Sequence, residues 1–350
     1  MRIVVNDIAA SHGGAMTVLK DFYSTVCSYD KENEWIFLLN DRYFEEVENV
    51  KIITLPEIKK SKAKKLLFDF VTGRKFIQKL QPDIVFSLQN IITFGVKVPQ
   101  VVYIHQSIPF QSVKKFSFFK GSERKLAIVQ HVIGAIIKKS AKKSDRIIVQ
   151  TAWMKDAVCQ FCRLPQSKVC VSVPSVYLEQ PVLDDCAFDQ TMFFYPTSKE
   201  IYKNNACIQQ AVCALEEKGV SHSVTLTLPQ EAGKGSISCV GRLPREDVLK
   251  WYRRSTLIFP SYIETFGYPL AEARAVGTVI LASDTPFSRE VLYGYENAYF
   301  FNPFDPQELA SLMEMVVDGR ISKKQIEKKQ FADDDSWQKV IKYILEMKHK

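Results

Sequence analysis

Two glutamates, Glu264 and Glu272, stand in the stretch Pro260-Ser-Tyr-Ile-Glu-Thr-Phe-Gly-Tyr-Pro-Leu-Ala-Glu-Ala-Arg-Ala-Val-Gly-Thr-Val-Ile. Carboxylates suit sugar and ribose hydroxyls, because each oxygen accepts their hydrogen bonds. A buried strand ending at Phe259 runs into a turn, and a helix opens near Phe266–Gly267 and stops at Gly277. Gly267 lets backbone approach a ligand closely, and the helix start offers free N–H groups and a positive dipole end to a diphosphate. Glu264 falls in the loop before the helix and Glu272 about one and a half turns into it, so both can face one cleft. Taken alone, such a pair would read as a turn residue and a surface helix residue.

The elements around this stretch alternate. Short β-branched runs (Ile3–Val5, Trp35–Leu39, Ile52–Leu55, Ile84–Leu88, Val101–Ile104, Ile147–Val149) separate helical patterns at Ala15–Ser28, Lys64–Leu80 and Arg124–Ala141. Alternation of this kind predicts a parallel sheet covered on both faces. A Pro-, Ser- and Asp-rich stretch then interrupts the pattern, which resumes at Met192–Tyr195 and continues past Val279–Ala282. The expected division is 1–172 as a Rossmann-like domain, 173–189 as linker and 190–332 as a second Rossmann-like domain. Residues 333–350 are expected as a terminal helix that can cross back to the first domain. Two α/β domains in tandem place two sets of strand carboxyl ends at one cleft, where α/β folds bind ligands.

At 350 residues, with 46% hydrophobic and 25% charged residues, the chain has material for two cores. Met1–Asn6 reads as a strand rather than a leader, and no run reaches the ~20 apolar residues that span a bilayer. The expected location is cytoplasmic, peripheral to the inner membrane face. Most of the eight cysteines read as reduced core residues, and Cys159-x-x-Cys162 lacks the second ligand pair of a zinc site. The net charge of +8 is uneven: residues 1–165 carry 26 basic and 15 acidic residues, and the remainder 21 and 24. Lys59 to Lys65 and Lys114 to Lys143 mix lysine with Phe, Leu and Ile, which suits an anionic lipid surface. No recognition motif accompanies the charge, so nucleic acid is not the expected partner.

The Glu264–Glu272 stretch resembles the Glu-x7-Glu signature of the family four retaining glycosyltransferases, which have the GT-B fold of two Rossmann-like domains facing across a cleft. Several further segments resemble the family: Gly13-Gly14 after the first strand, Tyr103-Ile-His105-Gln106, Ser144 to Lys155, Tyr195-Pro-Thr-Ser-Lys-Glu-Ile-Tyr-Lys203-Asn204, Val240-Gly241-Arg242-Leu243, and Asn297 to Pro303.

The resemblance implies roles for these residues. Lys203 neutralises the donor phosphates; Glu264, with backbone at Phe266 and Gly267, holds the transferred sugar; Glu272 binds the ribose. His105 positions the sugar or its leaving phosphate, Gly13 and Gly14 face the diphosphate, and backbone near Gly241 and Arg242 holds the base. Thr197 stands in the region where the family usually carries an arginine about six residues before its lysine, so either that cation is supplied from elsewhere or the phosphate grip is weaker.

The implied reaction is metal-independent transfer, with retention, from a nucleotide-diphosphate sugar. The acceptor is expected to be a saccharide, carried on a polyprenyl diphosphate in O-antigen or capsule assembly. No cofactor is expected. Asp184-Asp185 and Asp333-Asp334-Asp335 read as turn and N-cap residues rather than as a metal-binding Asp-x-Asp motif. The alternatives are a GT-B nucleotide-sugar epimerase or phosphorylase, and a non-catalytic lipid-binding partner subunit.

Overall fold

The computed structural model describes residues 1–11, 14–174, 176, 187–325 and 336–349. It divides into two compact units: 1–120 with 124–174 and 333–350, and 175–332 with 121–123.

The first unit holds seven parallel strands in the order β3-β2-β1-β4-β5-β6-β7. They are β1 (Arg2–Asn6), β2 (Glu34–Leu39), β3 (Val50–Thr54), β4 (Ile84–Ser87), β5 (Gln100–Ile104), β6 (Arg146–Val149) and β7 (Val169–Val171). Side chains alternate between faces along a strand, and the two faces build separate cores. Ile3, Val5, Phe86 and Tyr103 pack with Phe22 of the helix Gly14–Tyr29 and with Trp337, Val340 and Ile344 of the helix Ser336–Leu345. Val4, Ile36 and Val85 pack on the opposite side with Phe68 and Ile77. The Phe22 and Trp337 rings lie 5.1 Å apart, and Ser172 and Ser336 share a buried hydroxyl hydrogen bond of 2.6 Å. The terminal helix is therefore built into the first unit's core.

The pattern at Lys64–Leu80 predicts one helix, but the chain forms Lys62–Leu67, a π-type turn at Phe68–Thr72 and a second helix at Gly73–Lys79. Gly73 permits the widened turn, since a Cβ there would lie 2.6 Å from the Phe68 carbonyl oxygen. A second such turn, Ile128–Ile133, interrupts the helical pattern that begins at Arg124. Its following residue, Gly134, packs where a Cβ would sit 2.8 Å from Pro109.

The second unit has six parallel strands in the order β10-β9-β8-β11-β12-β13. These are β8 (Met192–Tyr195), β9 (Ser223–Leu226), β10 (Ile237–Cys239), β11 (Thr256–Phe259), β12 (Ile280–Ser283) and β13 (Ala298–Phe301). Strand order reverses between the neighbours β8 and β11, which pair at Thr256↔Phe193 and Leu257↔Phe194. Connections leave such neighbours in opposite directions, so the loops at their carboxyl ends part and leave a crevice.

Four of the described cysteines, Cys159, Cys162, Cys207 and Cys239, are buried, Cys213 is exposed, and all the described ones are free. Both acidic runs, Asp184-Asp185 and Asp333 to Asp335, lie outside the described residues.

Candidate functional site

The loops after β8 and β11 bring together several of the residues expected at the site. Leaving β8, the chain passes Thr197 and makes a short turn, Ile201–Lys203. The Tyr195 hydroxyl donates to the Lys203 carbonyl at 3.2 Å. Asn204 takes a left-handed conformation (φ 58°) and donates from Nδ2 to the carbonyls of Pro303 at 2.6 Å and Pro260 at 3.3 Å. Lys203 is thereby fixed against the loop that follows β11.

In that loop Glu264 Oε1 lies 2.6 Å from Lys203 Nζ and 2.8 Å from Ser261 Oγ, which donates to it. Each partner of the ion pair exposes 18% of its side chain, so both charges are largely out of water. Burial works against the Lys203 charge, but the adjacent Glu264 carboxylate outweighs it and holds the ammonium pKa above its ordinary value. The pair offers a cation and a carboxylate side by side at the sheet's switch point.

The helix expected from Phe266–Gly267 runs Tyr268–Val276, framed by Gly267 (φ 86°) and Gly277 (φ 83°). Only glycine adopts such angles without strain, so both ends are set by residue type. Phe266 is buried beneath the helix start and meets Tyr268 edge-on at 5.2 Å.

Glu272 joins a different network. Its Oε1 lies 3.2 Å from Arg245 Nε, at the start of the helix Arg245–Arg254, and 15% of its side chain is exposed. Burial raises its pKa, and the Arg245 guanidinium offsets part of that rise. The two glutamates thus have separate partners: Glu264 is held by Lys203 and Ser261, Glu272 by Arg245.

Thr197 is satisfied within its own loops. Its backbone N–H donates to Thr227 Oγ1 at 2.7 Å, and its hydroxyl donates to Asn205 Oδ1 at 2.9 Å. Gly241 follows β10 with φ 75° and donates its N–H to the Leu228 carbonyl, while Arg242 beside it is exposed.

His105 belongs to the first unit, directly after β5, and bonds to Asn90 in the loop that follows β4. Burial pulls its pKa down to about 4, so the ring is neutral near pH 7. Gly14 opens the helix Gly14–Tyr29 and is exposed, and Gly13 lies outside the described residues.

Sequence reasoning missed Arg245, Ser261, Asn204 and Asn90. Arg245 carried a usable signal, because a basic residue directly after Pro244 at a helix start opposes the dipole and needs an anionic partner. Asn204 and Asn90 are ordinary polar residues whose partners come from other loops, and Ser261 is one whose partner, Glu264, stands three residues on in its own loop.

The description "Glycosyltransferase Family 4" matches residues 33–180, and "Glycosyl transferases group 1" matches 228–332. The chain is a glycosyltransferase of the GT-B fold.

Solved structures agree on the architecture of this glycosyltransferase. WaaG, a glycosyltransferase involved in lipopolysaccharide biosynthesis, matches at TM-score 0.69 and 12% identity, covering 98% of this chain and 99% of WaaG. Sucrose-phosphate synthase from Thermosynechococcus elongatus matches at 0.66 and 13%, covering 99% and 97%. Anabaena HepE, solved with UDP and glucose, matches at 0.65 and 14%, covering 99% of each chain. At these identities the likeness carries the fold alone. No curated protein matches the sequence.

Proposed function

We propose that this glycosyltransferase transfers a sugar from a nucleoside-diphosphate donor to a saccharide acceptor, with retention of configuration and without a metal ion. The observation that carries the reading is the Lys203–Glu264 pair, 2.6 Å apart and largely buried where the strand order reverses. Cleaving the bond between the anomeric carbon and its phosphate oxygen builds negative charge on the leaving diphosphate. In this reading Lys203 meets that charge, and the positive dipole end of the helix starting at Tyr268 supplements it. Glu264 accepts hydrogen bonds from the sugar hydroxyls, and Glu272 from the ribose. In the retaining step, the acceptor hydroxyl bonds to the anomeric carbon on the face the phosphate leaves, and its proton passes to a departing phosphate oxygen.

The acceptor in this reading is lipid-linked, as in the assembly of O-antigen, capsule or another cell-surface polysaccharide, and the protein works at an anionic membrane face. Support comes from the first unit, where apolar side chains stand exposed among the lysines. Phe119 is 95% exposed, and Leu67, Val71 and Val132 are each about half exposed. No helix among the described residues is long and apolar enough to cross a membrane.

A thermal-shift screen of nucleotide sugars identifies the donor, because a bound ligand raises stability by mass action. Transfer to a lipid-linked acceptor in chelator, with the product anomer read by NMR, then tests the chemistry. An inverted product, or transfer that requires a divalent cation, discards the corresponding part of the reading. Turnover of the donor without any acceptor favours the epimerase or phosphorylase alternative. Vesicle binding that ignores both lipid charge and salt removes the membrane part.

A further inference from the structure

The side chain of Asn90 grips His105 at two points. Its Oδ1 accepts the backbone N–H of His105 at 2.7 Å, and its Nδ2 lies 3.2 Å from the ring Nε2. Asn90 holds this pose in a left-handed conformation (φ 67°), which asparagine adopts more readily than most residues, and its own N–H donates to the Tyr103 carbonyl at 3.1 Å.

The two contacts decide where the imidazole proton sits. A backbone N–H can only donate, so the end of the amide facing it must be the oxygen. The NH2 end then faces the ring, and because an amide NH2 only donates, Nε2 must be an unprotonated acceptor. A neutral imidazole with Nε2 free of its proton carries that proton on Nδ1. Nδ1 is buried and has no hydrogen-bond partner among the described residues. A buried donor without a partner is uncommon and calls for a reason.

We propose that Asn90 is a positioning residue that locks His105 as its Nδ1–H tautomer, holding an uncharged hydrogen-bond donor ready for an oxygen of the sugar nucleotide. This rests on the reading of His105 as a group that meets the donor. In that role the histidine supplies direction without adding charge. Fixing the backbone N–H and the ring with one amide ties the strand end and the side chain to the same anchor.

The test is long-range proton–nitrogen NMR on the full chain labelled at its five histidines, with His105 assigned by loss of its signals in His105→Gln. The wild type is expected to show a protonated Nδ1 and a bare Nε2. In Asn90→Asp the carboxylate can only accept, so the proton moves to Nε2 while the backbone N–H bond is kept. Asp also tolerates the left-handed conformation, so the variant folds. Its kcat is expected to fall about ten-fold or more, as wrong-tautomer variants do elsewhere. A wild-type ring protonated on Nε2, an Asn90→Asp ring that does not switch, or a switched ring with unchanged kcat each overturns the proposal. The spectra need no donor. A ring that switches as expected in a protein that transfers no sugar leaves the tautomer lock standing and removes the functional reading instead.

Discussion

Lys203 and Glu264 are 61 residues apart in sequence and 2.6 Å apart in space, bridging the loops of the two strands that flank the second sheet's switch point. Neither charge would be stable in that place without the other. Lys203→Met leaves a carboxylate without its cation, and Glu264→Gln leaves the reverse. Each single variant is expected to lose about 1–3 kcal/mol of stability, and the double variant less than the sum of the two. On the proposed mechanism, transfer should fall about 100-fold or more in either single variant, because the group proposed to meet the developing charge is removed or released. Urea unfolding and an initial-rate assay check the two effects separately.

Glu272 depends on Arg245 for its charge. With burial pushing its pKa up and the guanidinium pulling it down, Arg245→Ala should raise that pKa further. Donor binding that needs the ionised carboxylate is retained above the pKa and lost as pH falls through it. Calorimetric titration with the nucleoside diphosphate should therefore show affinity failing at a higher pH in Arg245→Ala than in the wild type. Glu272→Ala should bind about ten-fold or more weakly above that pKa, and the gap should close below it.

Asp7, just beyond β1, is fully buried, and burial lifts its pKa from an ordinary 3.8 to about 7, with the Ala10 N–H and the charges of Lys65 and Lys59 offsetting part of the rise. The folded state thus holds a proton that the unfolded chain releases near pH 4. Its cost to stability is absent below pH 4, grows as pH rises toward 7 and stays constant above, reaching on the order of 4 kcal/mol. Asp7→Asn should melt higher than the wild type at pH 8 and equally at pH 4. Paired thermal melts at the two pH values decide it, and equal melting at both would refute the buried, protonated carboxyl.

Trp337 packs against Phe22 and lies 5.5 Å from the Tyr103 ring. Trp337→Ala should cost about 3–5 kcal/mol, as truncation of a buried aromatic does. Denaturant unfolding followed by circular dichroism measures this. A loss below ~1 kcal/mol would mean that the terminal helix is dispensable to the first unit's core.

Residue type alone determined a good deal of this protein. Apolar runs of three to five residues between helical patterns specify parallel strands. Gly267 and Gly277, with no Cβ to forbid positive φ, frame the helix Tyr268–Val276 within a residue of the sequence expectation. Such signals are local, because the information lies within a turn or two of chain. β7 and β10, three residues each, were too short to read from a period of two, and the π-type turns became visible only where Gly73 and Gly134 met their neighbours. Tertiary structure decided which polar groups share a site: Lys203 with Glu264, Arg245 with Glu272, Asn90 with His105. Those partners sit on different loops and helices, and the strength of each contact depends on burial and angle. Burial and angle exist only once the sheets have assembled.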